Sequence, residues 1–226
     1  MKNAVLRLPT ILALLCLLFA SPFATAQLRT DSAFWEPDIR KFEEADRAQP
    51  PKPGAIVFIG SSSIQKWKDV AGDFPGKNVL NRGFGGSRIA DSTYYAGRIV
   101  VPYKPSLIVL YAGDNDINDG HTAQQVFDAY VAFVERIRND LPATSIAFIS
   151  IKPSPSRAQL LPVMREANEK IRAYAGAHPH LIYIDVASKM LDSTGQPRAE
   201  LFIEDRLHMN RAGYDLWKQI IAPYLP

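Results

Sequence analysis

Five short apolar runs recur along the chain, at residues 55–59, 79–81, 107–111, 145–151 and 181–185. Runs rich in Val, Ile, Leu and Phe that do not alternate with polar residues suit strands covered on both faces. Helix-period patterns stand between them. The clearest spans residues 122–141, where Val126, Tyr130, Phe133, Ile137 and Leu141 share one face and Thr122 with Gln125 forms a capping box. A second covers residues 158–177 with Val163, Ala167, Ile171 and Tyr174 as its stripe, and a last one follows over residues 210–224. Ahead of the first strand, residues 35–48 read as a helix, which the run Pro50-Pro51-Lys52-Pro53-Gly54 stops and converts to a stiff linker. Such alternation predicts a five-stranded parallel sheet with helices on both faces, an α/β fold built as a three-layer α/β/α sandwich.

The N-terminus is read apart from this pattern. Lys2 and Arg7 precede an apolar run over residues 11–20, and Ala24-Thr25-Ala26 follows, the order of a secretory leader with its cleavage site. The apolar run is about half of the roughly 20 residues that a spanning helix needs, so stable membrane insertion after cleavage is not expected. Cys16 lies behind Leu14 and Leu15, where a lipoprotein acylation site requires small residues. Residues 1–26 are thus read as a signal peptide and residues 27–226 as a single domain, with residues 27–53 supplying the N-terminal helix and linker. Cleavage removes the only Cys, which suits secretion or the periplasm and removes thiol nucleophiles and thiolate metal ligands from consideration. It also takes Lys2 and Arg7 from a formal charge of +3, leaving a nearly neutral chain with no track for nucleic acid.

In open parallel sheets, ligands bind outside the carboxyl ends of the strands. Ser61-Ser62-Ser63, residues 83–87, residues 113–119 and Lys152 all follow strands and fall on that edge. A serine hydroxyl needs a base to take its proton and a carboxylate to orient the base. Among four histidines, His178 and His180 precede the fifth strand and belong to the opposite edge, while His121 adjoins a helix start. His208 stands apart because Asp205 lies three residues before it, so one loop presents imidazole and carboxylate together. Each element also has a plain structural use: the serines as a helix cap, Gly83 to Gly86 as a turn, Asp205 as a local cap. Asp114, Asp116 and Asn118 have calcium-loop spacing, but Asp119 and Gln125 occupy the positions of its Gly and bidentate Glu.

Taken in order, Phe58-Ile59-Gly60-Ser61-Ser62-Ser63-Ile64 with Trp67, Asn81 to Gly86, Gly113-Asp114-Asn115-Asp116, and Asp205-Arg206-Leu207-His208 resemble the four sequence blocks of the SGNH/GDSL hydrolases. The resemblance implies a flavodoxin-like fold and a carboxylic ester hydrolase without metal or organic cofactor. It implies Ser62 as nucleophile, His208 as general base and Asp205 as its orienter. It also assigns the oxyanion hole to the backbone N–H groups of Ser62 and Gly86 and the side-chain amide of Asn115. One departure is Ser61, where the family commonly has the Asp of G-D-S; ungapped alignment on Gly60 and Trp67 selects Ser62, with Ser63 as runner-up. Ile64 stands where G-x-S-x-G would have its second Gly, against the ordinary α/β-hydrolase elbow.

No long apolar lid is visible, which favours short acyl groups, acetyl esters on carbohydrate or other small molecules included, over long-chain lipids. Arg88, Tyr94, Tyr95 and Lys152 are expected to line the cleft, Arg88 and Lys152 as substrate contacts. A lysophospholipase or lipase is the alternative within the hydrolases, and a periplasmic binding module without catalysis is the alternative outside them. The leader generates a direct expectation: protein exported by a bacterial host starts at Gln27, as N-terminal sequencing or intact mass reports. A mature chain retaining residues 1–26 contradicts it.

Overall fold

The computed structural model describes Met1 and residues 32–226, so the leader and its cleavage point lie outside the described residues. In chain order the elements are α1 (Glu36–Ala48), β1 (Ile56–Gly60), α2 (Ser62–Gln65), α3 (Val70–Asp73), β2 (Val79–Gly83), α4 (Ile89–Ile99) and β3 (Leu107–Tyr111). They continue with α5 (Asp114–Asn118), α6 (Ala123–Asp140), β4 (Ser145–Ile149), α7 (Leu161–Ala177), β5 (Leu181–Ile184) and α8 (Arg211–Ile221). All neighbouring strands pair in parallel in the order β2-β1-β3-β4-β5. This is the doubly wound, flavodoxin-like order.

Successive strand residues face opposite layers, and both layers are apolar. On one side Val57, Ile59, Ile108, Leu110, Ile146 and Phe148 meet Ile39 of α1, Ile99 of α4, Phe133 of α6 and Ile171 of α7. On the other side Ile56, Phe58, Val109 and Ile149 meet Trp67, Phe74 and, from α8, Tyr214, Trp217 and Ile221. Each such side chain, fully buried, contributes about 1.5–3 kcal/mol, so the two-sided covering is what makes unalternated strands stable. Helix α1 is also fixed to α4 through Arg98, whose guanidinium binds Glu36 and Glu43, each at 2.7 Å.

Several boundaries differ from the sequence reading for identifiable reasons. Strand β2 runs on to Gly83 through Arg82, a buried cation tied to Asp46 of α1 and stacked between Phe42 and Tyr103. Strand β4 stops at Ile149, because the backbone of Ile151 pairs instead with the Asn168 side chain of α7, at 2.8 and 3.0 Å. Helix α4 is unanticipated. Its apolar stripe, Ile89, Tyr95, Ala96 and Ile99, is diluted by Asp91, Ser92, Thr93 and Gly97. The capping box of α6 forms as read, with Thr122 Oγ1 accepting from the Gln125 N–H and Gln125 Oε1 from the Thr122 N–H.

One residue sets how closely the first strand meets the third at the carboxyl edge. Gly60 has φ +137°, and a Cβ there would lie 1.8 Å from the carbonyl oxygen of Tyr111. The approach lets the Ser61 N–H bond that same oxygen at 3.0 Å. Gly60→Ala is expected to cost about 4 kcal/mol or more, lowering the thermal midpoint by roughly 8–16 °C or preventing folding. A melt followed by circular dichroism checks this, and a wild-type midpoint contradicts it.

Candidate active site

Ser62 sits where the chain turns from β1 into α2. Ser61 occupies the helix N-cap position in extended conformation, so Ser62 is the first helical residue, and no carbonyl of its own helix can reach its N–H. The partner loop comes from far away in sequence. Phe202 and Met209 form an antiparallel bridge, and the turn between them is closed by the Ile203 N–H donating to the His208 carbonyl at 2.9 Å. Arg206 at its tip takes φ +56°, a left-handed conformation uncommon for a residue with a side chain. Its carbonyl accepts the Ser156 N–H at 3.0 Å, which ties the tip to the chain following β4.

This turn brings three side chains into one line. His208 Nε2 lies 3.0 Å from Ser62 Oγ, and His208 Nδ1 lies 2.5 Å from Asp205 Oδ2. Asp205 Oδ1 accepts the N–H groups of Leu207 and His208, both at 2.9 Å. Burial pushes the Asp205 carboxyl up, but the hydrogen bonds from the His208 ring and from these two N–H groups outweigh it and bring it down to about 2. A carboxylate only accepts, so the ring carries its proton on Nδ1 and leaves Nε2 to accept the Ser62 hydroxyl. Ser63, the runner-up in sequence, is buried, with its carbonyl accepting the Tyr214 hydroxyl at 3.0 Å. Ser61 is likewise buried.

The segments carrying Ser62 and His208 are fastened to each other. Asp73, at the end of α3, binds Arg211 through two parallel contacts of 2.5 and 2.9 Å and accepts the Trp67 indole N–H at 2.7 Å. The Arg211 hydrogen bonds come first in holding its carboxyl down at about 2. Asn210 then caps α8, its Oδ1 accepting the Gly213 N–H at 3.1 Å.

Gly86 and Asn115 follow β2 and β3, the two strands that flank β1. Gly86 has φ +77°, and a Cβ there would meet no protein atom within 4 Å, so the glycine serves backbone conformation and not internal crowding. The Asn115 amide donates one hydrogen to the Ser87 carbonyl at 3.0 Å, while its Oδ1 accepts from Arg157 at 3.1 Å. Fixing the oxygen fixes the flip of the amide and leaves its second N–H available. Asp114 holds Arg157 at 3.2 Å and Lys152 at 3.5 Å. Asp116 accepts the Ile89 N–H at 3.2 Å, and burial pushes its carboxyl up to about 7. The acidic run after β3 is thus committed to internal partners.

The two expected substrate contacts, Lys152 and Arg88, are both buried. Lys152 is 1% exposed, enclosed with Asp114 and lying over Tyr111 and Phe202, and burial draws its ammonium below the ordinary lysine range. Arg88 is 7% exposed and faces Asp91 at 3.8 Å. Neither presents its charge to solvent, because each is neutralised inside the loop network. Tyr95 is buried with its hydroxyl on the Ser32 carbonyl, whereas Tyr94 is exposed. His178 stacks on Tyr174 at the amino end of β5, far from Ser62 along the strands.

Residues 41–216 match the GDSL-like lipase/acylhydrolase family. The chain belongs to that family. This acylhydrolase is 28% identical over 176 residues to the platelet-activating factor acetylhydrolase IB subunit alpha1 of Bos taurus, covering 72% of this chain and 71% of the relative. Its fold is similar to that of a GDSL-like lipase from Bacteroides thetaiotaomicron, with a TM-score of 0.71 at 19% identity, covering 83% of this chain and 96% of the other. A carbohydrate esterase family 3 protein from Talaromyces cellulolyticus is similar at a TM-score of 0.58 and 16% identity, over 75% and 95% of the two chains. The acylhydrolase is an ester hydrolase.

Arg157 escaped the sequence reading. It directly follows Pro153-Ser154-Pro155-Ser156, a stretch that carries no periodicity, and its role is visible only once Asp114 and Asn115 are beside it. The His208 tautomer yields a test. In Asp205→Asn the amide presents a donor toward the ring, so the proton is expected to move to Nε2, as long-range 1H–15N correlations of the imidazole report. With Asp205 at about 2, the wild-type ring is expected to keep its carboxylate partner throughout pH 4–8. A variant still protonated on Nδ1 contradicts this geometry.

Proposed function

We propose that this acylhydrolase cleaves short-chain esters, acetyl esters above all, through an acyl-enzyme formed on Ser62. The 3.0 Å contact between Ser62 Oγ and His208 Nε2 carries the reading, since it joins the only serine of its cluster that meets an imidazole to a ring already oriented by a carboxylate. His208 takes the hydroxyl proton as Ser62 attacks the ester carbonyl, and Asp205 stabilises the imidazolium that forms. The tetrahedral intermediate places negative charge on one oxygen, which the N–H groups of Ser62 and Gly86 and the free amide hydrogen of Asn115 receive. Donors fixed before the reaction act without reorganisation, and losing one typically costs about 10²- to 10³-fold in rate. His208 then protonates the leaving alcohol, and water deacylates Ser62 by the same path in reverse.

Support for a short acyl group comes from the acetylhydrolase likeness and from the burial of Lys152 and Arg88, which leaves no cationic side chain of the expected pair facing outward for a lipid headgroup. Acetylated carbohydrate is the favoured natural class, and the carbohydrate esterase shares the fold. Among the described residues no helix is long and apolar enough to cross a membrane. Export to the periplasm or medium is supported by the order of Lys2 and Arg7, the apolar run and Ala24-Thr25-Ala26.

Ser62→Ala is expected to abolish hydrolysis of an activated acetate ester without lowering the thermal midpoint, and wild-type turnover in that variant overturns the mechanism. Across a series of p-nitrophenyl esters, kcat/KM is expected to peak at acetate and to fall toward octanoate. A maximum at octanoate or longer overturns the short-chain assignment in favour of a lipase or lysophospholipase.

A further inference from the structure

The loop that carries Gly86 is gripped from the side of the N-terminal turn. The carbonyl of Gly85 accepts a hydrogen bond from the indole Nε1 of Trp35 at 2.8 Å. Trp35 is 1% exposed and meets Phe84 edge-on at 6.0 Å, and Phe84 in turn meets Tyr95 at 6.0 Å. The turn Ser32–Trp35 is itself tied to α4. Ser32 Oγ donates to Asp91 at 2.6 Å, and the Tyr95 hydroxyl donates to the Ser32 carbonyl at 2.8 Å.

A trans peptide is planar, and its C=O and N–H point in opposite directions. The Gly85 oxygen and the Gly86 nitrogen belong to one such peptide, so anchoring the oxygen on Trp35 turns the Gly86 N–H away from the aromatic cluster. This peptide needs outside control. It joins two glycines, and neither has a side chain that restricts rotation of the unit. The neighbouring carbonyls are committed: Phe84 O accepts from Ser87 Oγ at 2.9 Å, and Ser87 O accepts from the Asn115 amide at 3.0 Å. Trp35 supplies the matching restraint for the unit between them.

We propose that Trp35 is a positioning residue for ester hydrolysis, its indole N–H clamping the Gly85–Gly86 peptide so that the Gly86 N–H is held as an oxyanion donor. The inference rests on the reading of Gly86 given under the proposed function. It assigns a role in the reaction to a segment that precedes residues 41–216, the part matching the family.

Trp35→Phe keeps an aromatic ring in the cluster and removes the donor. It is expected to lower kcat on the acetate ester by about 10- to 100-fold with KM within about twofold, since a misaimed donor fails in the transition state and not in substrate binding. Affinity for a boronic acid, which forms a tetrahedral anion on Ser62, is expected to fall by the same factor as kcat/KM. If Trp35→Phe melts early, benzothienylalanine incorporated at position 35, which replaces the indole N–H by sulfur at nearly the same shape, makes the comparison. A folded variant of either kind with wild-type kcat and boronate affinity overturns the proposal, as does a loss confined to KM. Ser62→Ala, assayed in parallel, separates the two readings. If it keeps turnover, the underlying mechanism fails; if it is inactive while the folded Trp35 variants keep wild-type kcat, only the clamp fails.

Discussion

A parallel sheet cannot be closed by tight hairpins. Each strand must be followed by a crossover that returns the chain to the starting edge, and in this protein every crossover leaves from the same carboxyl edge. That constraint brings residues far apart in sequence to one rim. Ser62 and His208 are 146 positions apart, and their 3.0 Å contact depends on β1 lying between β2 and β3 and on the last loop reaching back to it. Gly60 permits the final step. Its unusual φ and missing Cβ let the chain leave β1 in contact with the end of β3 and enter α2 at Ser62.

Much of this was legible in the residues. Five unalternated apolar runs sufficed for the sheet, because strands buried on both faces leave a signal that differs from amphipathic ones. Thr122 and Gln125 marked the start of α6 by local chemistry alone. Helix α4 escaped because its buried face includes Asp91 and Ser92, polar residues satisfied by partners from other segments or enclosed by packing that no local pattern reveals. Arg82 ended the second run on paper for a related reason: a cation reads as a stop until Asp46 and two aromatic rings are known to enclose it.

At the site the division was similar. Ser62, Asp205 and His208, which the structure brings into contact, lay in short blocks that the family resemblance marked. Lys152 and Arg88 are buried where charge at a functional edge was read as outward-facing. Inside a close-packed protein a buried charge survives only with a partner, and Asp114 and Asp91 are those partners. The same pairing gives Arg157 its orientation, so a buried carboxylate and a largely enclosed cation determine how Asn115 presents its amide.

The bidentate contact between Asp73 and Arg211 has a consequence for how the protein opens. It joins the stretch that follows Ser62 to the stretch that follows His208, across 138 positions of sequence. Local opening in proteins proceeds in cooperative units, and groups sharing a buried carboxylate separate together. Opening of α8 at Arg211 is therefore expected to loosen the loop of His208 and the turn of Ser62 together.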